Sequence, residues 1–206
     1  MTAPARLAVL ISGGGSNLEA LMRACEDPAY GAEVVLVVAD RDGCGGMDLA
    51  EQRGIPTATI KVNDYAERAD WDHALATELQ GANPDLVVSA GFLKIMGPQV
   101  LQAFPGKIIN THNSLLPSFP GIHGPVDALN YGVKIAGATL FLVDEGMDTG
   151  QILAQCTVPV LEDDTEDTLL ERIKVAERAQ LVETVGIMMR SGWRVEGRRA
   201  FLNSED

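Results

Sequence analysis

From Leu7 through Ile11 the chain is apolar without a break, and the run stops at three glycines, Gly13 to Gly15. A strand that alternates apolar and polar residues covers one face of a sheet, whereas one that is apolar throughout must be covered on both. The pattern recurs at Ala32 to Asp40 (AEVVLVVAD), Asp85 to Gly91 (DLVVSAG) and Lys107 to His112 (KIINTH). Burial on both faces calls for helices on both sides, and helical spacing lies between the runs. Ser16-Asn17-Leu18-Glu19 opens a segment with Leu18, Leu21, Met22 and Cys25 on one face, ended by Asp27-Pro28. Met47 to Arg53 and Asp64 to Gln80 read as two further helices, with a short strand at Thr57 to Val62 between them. This alternation predicts an α/β fold, a doubly wound and mostly parallel sheet.

The C-terminal half reads differently. Ala138 to Asp144 and Ile152 to Val160 are β-branched strands joined by a turn at Glu145 to Gly150, which predicts antiparallel strands added to the same sheet. Glu166 to Met189 has the pattern of a long amphipathic helix, and Trp193 to Asn203 that of a final hairpin or strand. No linker, repeat or low-complexity tract interrupts the sequence, so residues 1–206 are expected to form one domain. A hydrophobic content of 46% is enough for a packed core.

A net charge of −13 argues against nucleic acid or an anionic membrane surface as a partner, because both are bound by clustered Lys and Arg. An anionic small molecule remains compatible, since a ring of backbone N–H groups can hold it locally. Cys25, Cys44 and Cys156 show no zinc-ligand spacing and read as free thiols of a reducing compartment. Met1-Thr-Ala-Pro-Ala-Arg6 enters the first strand with no basic and apolar leader, and no window reaches the ~18 apolar residues of a membrane span. A cytoplasmic location is expected.

In open α/β sheets ligands bind beyond the carboxyl ends of the strands. That rule selects Ser12 to Asn17, Gly91-Phe92, Asn110-Thr111-His112 and the turn around Asp148. The glycine loop lacks the full dinucleotide fingerprint and the GK[ST] of a P-loop. Two readings stay open for it: a cradle for a single phosphate at a helix N-terminus, or a tight turn in which Ser16 or Asn17 is a simple N-cap. Asn110 and His112, two residues apart on a strand, emerge on one face. An amide and an imidazole side by side can supply an oxyanion donor and a proton shuttle for acyl chemistry. Pro117, Pro120 and Gly121 then impose an irregular loop. A carboxylate from the acidic turn, brought near His112, would stabilise its imidazolium form. His112 and His123 lack the HExxH arrangement, and no metal site is expected.

Asn110-Thr-His112-Asn-Ser-Leu-Leu-Pro117, Phe119-Pro-Gly121 and Asp148-Thr-Gly150 together resemble the signature of the 10-formyltetrahydrofolate-dependent formyltransferases. The resemblance runs from Leu7 through Gln180 and implies a Rossmann-like formyltransferase fold. Within it, a phosphate-binding N-terminal half would span about residues 1–105, and a folate and catalytic part about 106–206. It implies catalytic roles for Asn110, His112 and Asp148. It places the ribose phosphate and amine of the acceptor on Gly14, Gly15, Ser16, Asn17, Lys174 and Glu177. The folate would rest on Phe92, Leu93, Lys94, Ile95 and Met96, on Asn110, and on Val143, Asp144, Glu145, Gly146 and Met147. The implied donor is 10-formyltetrahydrofolate, used without a metal. The implied acceptor is glycinamide ribonucleotide, in purine biosynthesis, by a monomer or homodimer. A formyltetrahydrofolate hydrolase and a non-catalytic sugar-phosphate-binding relative are the alternatives. The chain departs from the pattern twice: Asn113 stands where proline is usual, and Phe141 where a histidine is usual.

Overall fold

The computed structural model describes residues 3–203 and divides into two compact units, residues 1–110 and 111–206. Seven strands form one sheet in the order β3-β2-β1-β4-β5-β6-β7, and a separate two-stranded sheet, β8-β9, follows near the C-terminus.

In the first unit, β1 (Ala5–Ile11), β2 (Ala32–Ala39), β3 (Thr57–Thr59) and β4 (Leu86–Ser89) are mutually parallel, and β5 (Ile108–His112) runs parallel to β4. The apolar runs lie where the sequence puts them. Leu7 through Ile11 are wholly buried, as two-sided coverage requires. Helices α1 (Ser16–Ala24) and α3 (Arg68–Ala82) bury Leu18, Leu21, Trp71, Leu75 and Leu79, each at zero exposure. The Trp71 indole N–H satisfies itself on the Ile60 carbonyl at 3.0 Å.

The structure moves some boundaries. Helix α2 spans Gly45–Glu51, beginning two residues before the expected Met47. The strand expected at Thr57 to Val62 ends at Thr59, and Val62–Asp64 form a 3-10 turn. Helix α3 therefore starts at Arg68, four residues later than its charge pattern suggests. Helix α4 (Pro98–Ala103) is not marked by apolar periodicity at all. Its start is made by a buried carboxylate, since Asp72 accepts the backbone N–H groups of Gly97 (2.6 Å) and Gln99 (2.7 Å).

In the second unit, β6 (Ile135–Leu142) and β7 (Ile152–Pro159) pair antiparallel as expected. Helix α5 (Gly124–Tyr131) and the long α6 (Glu166–Ser191) close a core of Ala128, Ala136, Ala138, Val158, Leu169 and Ile173. Helix α5 follows the loop read from Pro117, Pro120 and Gly121 and occupies a stretch to which the sequence pattern assigned no element; Pro125 in its first turn is tolerated there because the first N–H groups have no partner in the helix. Strands β8 (Trp193–Glu196) and β9 (Arg199–Leu202) form the final hairpin. Among the described residues no helix is long and apolar enough to cross a membrane.

The start of α6 is held by charge as well as by caps. Thr165 and Thr168 form a capping box, and Asp164 accepts from Leu161 N (2.7 Å), Thr168 Oγ1 (2.9 Å) and both terminal nitrogens of Arg172 (2.8 Å each). The Arg172 guanidinium holds the Asp164 carboxyl well below the usual carboxylate range. A depressed carboxylate stabilises the fold above its unfolded value and loses that effect as the pH falls through the folded one. Asp164→Asn is therefore expected to lower the melting temperature at pH 7. The gap to wild type should begin to close below about pH 3.8, the ordinary value. A gap of constant size in melting curves taken from pH 7 down to pH 3 would show that the charge contributes nothing.

Candidate active site

In the first unit the strand order reverses direction between β1 and β4, the switch point at which doubly wound sheets leave a crevice. The loops that follow these two strands are Gly13 to Gly15 and Gly91 to Met96. They are tied together, because the Leu93 N–H donates to Ser12 Oγ at 2.8 Å.

Of the two readings open for the glycine loop, the simple cap fails. The N-cap of α1 is Gly15, in the left-handed region at φ 78°, with no side-chain cap; Ser16 and Asn17 are the first helical residues. Gly15 is required twice over. Its φ disfavours any side chain, and a Cβ there would meet the Gly46 Cα at 2.6 Å. A Cβ on Gly13 or Gly14 would meet nothing within 4 Å, so those two face open space. A helix start without a side-chain cap directs amide donors and the positive end of the helix dipole outward, which suits a phosphate.

On the neighbouring loop, Phe92 and Met96 are buried while Leu93 and Ile95 stand exposed. Phe92 stacks on Trp71, the Arg68 guanidinium lies over the Trp71 ring at 3.9 Å from its centroid, and Arg68 also donates to the Ile95 carbonyl. Lys94 reaches Asp40 at 3.4 Å. Burial alone would push the Asp40 carboxyl up. The bidentate Arg41 bond, the Ser12 hydroxyl and the charges of Arg41 and Lys94 outweigh it and hold the group ionised below its ordinary value. At the end of β5, Asn110 is half-buried and lies opposite Ser89 of β4.

The second unit contains the imidazole. His112 is 8% exposed, and its Nε2 lies 2.7 Å from the Gly121 carbonyl oxygen and 3.3 Å from Asp148 Oδ2. The Gly121 N–H donates to that same Asp148 oxygen at 2.8 Å, so the expected carboxylate partner is in place. Its other nitrogen, Nδ1, is 2.9 Å from Ser114 Oγ. The loop between them is anchored from β6 and β7. The buried Thr139 hydroxyl donates to the Ser114 carbonyl (2.7 Å), and Gln155 Nε2 donates to the Leu116 carbonyl (2.9 Å). Leu116-Pro117 is a cis peptide.

The acidic turn is shaped for Asp148. Asp144 makes local bonds, accepting from Gly146 N at 3.0 Å and Thr149 Oγ1 at 2.6 Å, and so serves the turn itself. Asp148 instead adopts φ 57° and points at His112. A left-handed non-glycine residue at such a place is the kind of strain that accompanies function. Of the other residues of that turn, Met147 is exposed. The two departures are also visible. Asn113 buries an Oδ1 with no hydrogen-bond partner, and Phe141 is packed inside β6 opposite Ile152.

Lys174 and Glu177 lie one turn apart on α6. Lys174 is half-buried and pairs with Glu171 at 2.8 Å. Glu177 is 4% exposed and sits in the core-facing row with Leu169, Ile173 and Leu181.

The chain matches the formyl transferase family over residues 5–185. It belongs to that family. Among curated proteins it is 51% identical over 199 residues to phosphoribosylglycinamide formyltransferase of Mycobacterium tuberculosis, covering 97% of this chain and 92% of that protein. It is 45% identical over 174 residues to the trifunctional purine biosynthetic protein adenosine-3 of Drosophila melanogaster, across 84% of this chain but 13% of that much longer one. Among solved structures, glycinamide ribonucleotide transformylase 1 of Symbiobacterium toebii superposes with a TM-score of 0.94 at 37% identity, covering 98% of this chain and 95% of that one. The α/β formyl transferase architecture expected from sequence is thus the one found.

Three neighbours of the candidate site escaped the sequence reading of this formyl transferase: Ser114 and Gly121 around His112, and Asp40, which pairs with Lys94 beside the Ser12–Leu93 bond. Asp40 had a signal, an acid closing an otherwise apolar run. Ser114 had only its nearness to His112, and Gly121 acts through its backbone, which no residue type announces. The cysteines play no visible part. Burial pushes the Cys25 thiol up to about 11 and raises those of Cys44 and Cys156, so all three are poor nucleophiles.

Gly15→Ala is expected to destabilise the protein by at least about 1–2 kcal/mol from the left-handed backbone alone, with the contact on Gly46 added. Urea unfolding reads this directly, and a variant as stable as wild type would mean that the loop can open away from α2.

Proposed function

We propose that this chain transfers the formyl group of 10-formyltetrahydrofolate to the primary amine of phosphoribosylglycinamide, a step of purine biosynthesis. The observation that carries the reading is the buried His112–Asp148 pair, two residues beyond Asn110, in a member of this family. The acceptor follows from the 51% identity to the Mycobacterium protein of that name.

In this reading the acceptor's phosphate sits on the amides of Gly14 and Gly15 and the side chains of Ser16 and Asn17, with Lys174 and Glu177 as further contacts to phosphate, ribose or amine. The pterin rests on Phe92 to Met96 and on Val143 to Met147, where exposed Leu93, Ile95 and Met147 offer apolar cover. The amine nitrogen attacks the formyl carbon and forms the new C–N bond. The carbonyl electrons move to oxygen, and the Asn110 amide and His112 Nε2–H donate to that oxyanion. A developing oxyanion is a stronger acceptor than the Gly121 carbonyl now facing His112, and takes that bond over. As the oxyanion collapses, the bond to the folate nitrogen breaks. The proton lost by the amine passes to that leaving nitrogen, with Asp148 or a water held by it as the relay. Holding both reactants in register supplies much of the remaining acceleration.

The test is release of tetrahydrofolate with and without phosphoribosylglycinamide. Release that requires the amine supports the transfer. Release without it makes the chain a hydrolase, and none makes it a non-catalytic sugar-phosphate binder. While the fold is kept, His112→Asn should lower kcat by at least about 10²-fold, the size expected for losing one oxyanion donor, and Asp148→Asn by at least about 10²-fold, the size expected for losing a proton relay. Near-normal turnover in both would overturn the assignment of these residues. Ser16→Asp should raise KM for the phosphorylated acceptor by charge repulsion, and an unchanged KM would remove the loop from phosphate binding.

A further inference from the structure

The hydrogen positions around His112 follow from counting donors. A serine hydroxyl has one hydrogen, and a carbonyl oxygen has none. Ser114 Oγ lies 2.7 Å from the Ser118 carbonyl, to which it donates, and 2.9 Å from His112 Nδ1. With its hydrogen committed to Ser118, the Ser114 oxygen can only accept from Nδ1. On the far side of the ring Nε2 faces the Gly121 carbonyl at 2.7 Å and an Asp148 oxygen at 3.3 Å, again acceptors only. Every neighbour of both ring nitrogens demands a hydrogen.

We propose that Ser114 is a positioning residue that accepts the Nδ1–H of His112, so that the ring is held in one orientation with a proton on each nitrogen. The inference rests on the reading of His112 as the oxyanion donor, and it adds what keeps the imidazole in its donor state. Asp148 balances the charge from one side; Ser114 fixes the ring from the other. Ser114 is itself immobile, since it is 3% exposed and its carbonyl is held by Thr139. Helix α5 begins against it, where a Cβ on Gly124 would lie 3.2 Å from the Ser114 Cβ. The hydroxyl therefore reaches the ring from a fixed point. The alternative assignment, with the serine donating to an unprotonated Nδ1, would leave two oxygens 2.7 Å apart with no hydrogen between them.

The ring nitrogens can be observed directly. The chain has three histidines, and the His112 signals in a long-range proton–nitrogen correlation spectrum are those lost in His112→Asn. In the wild-type chain Nδ1 of His112 is expected to bear a proton. An unprotonated Nδ1 overturns the proposal whether or not the chain proves to be a transferase. In Ser114→Ala the Nδ1–H signal should shift or be lost to exchange. At the same time kcat should fall about ten- to a hundred-fold, with KM for both substrates within about two-fold, the effect of removing a hydrogen bond to a charged group. Ser114→Thr, which keeps the hydroxyl, should restore the Nδ1 signal and most of the turnover. An unchanged Nδ1 signal and unchanged kcat in Ser114→Ala would reduce Ser114 to a packing residue. If wild type shows no transfer at all, the spectra still decide the serine's role, so the two readings fail separately.

Discussion

A strand buried on both faces cannot end gradually. Its last residue must hand the chain to a turn that leaves the sheet at once, and β1 does so at Ser12 and three glycines. The abrupt exit lines the carboxyl edge of the first unit with backbone amides instead of side chains. The second strand at the switch point, β4, ends in the same manner at Gly91, with φ 77°. Ser12 joins the two exits through its bond to Leu93 N, and Asp40, at the end of β2, holds that junction with Arg41 and Lys94. The interior demand for apolar residues thus produces the polar rim on which the proposed chemistry depends.

In the second unit the dependence runs the other way, from a polar group inward. Thr139, fully buried on β6, donates to Ser114 O and accepts from Leu116 N at 3.0 Å, taking up loop groups that burial would otherwise orphan. Gly137 and Gly150 let backbone approach where a Cβ would come within 1.9 Å of Cys156 O and 1.5 Å of Leu142 O. The loop and the acidic turn are thereby set in place before His112 and Asp148 are considered. Their side chains meet because the two segments have little freedom to be elsewhere.

Much of this was legible in sequence, and what was not has a physical reason. The buried strands announced themselves because a solid apolar run has few alternatives, and β1, β2, β4 and β5 fall within a residue or two of their expected bounds. Helices α4 and α5 did not, because one is started by a distant Asp72 carboxylate and the other follows a proline-rich loop that reads as a breaker. The Asn110–His112 pair of β5 was visible through its spacing and strand-end position. The strand-end rule suggested that an acid of the turn could approach His112, but singling out Asp148 came from the likeness to a family, since residues 36 apart in the chain have no local pattern linking them. Ser114 and the Gly121 backbone could be recognised only once distances were known.

A run of three glycines is usually taken as slack. Gly15 shows the opposite, because its backbone lies in contact with that of Gly46, and Gly46 in turn has no room for a Cβ against the Ile11 side chain. Glycine here admits close packing rather than motion, and the loop is gripped between the end of β1 and the start of α2. The consequence is entropic. If the acceptor's phosphate binds there as proposed, it meets donors already arranged, so little of its binding free energy is spent on ordering the chain that receives it.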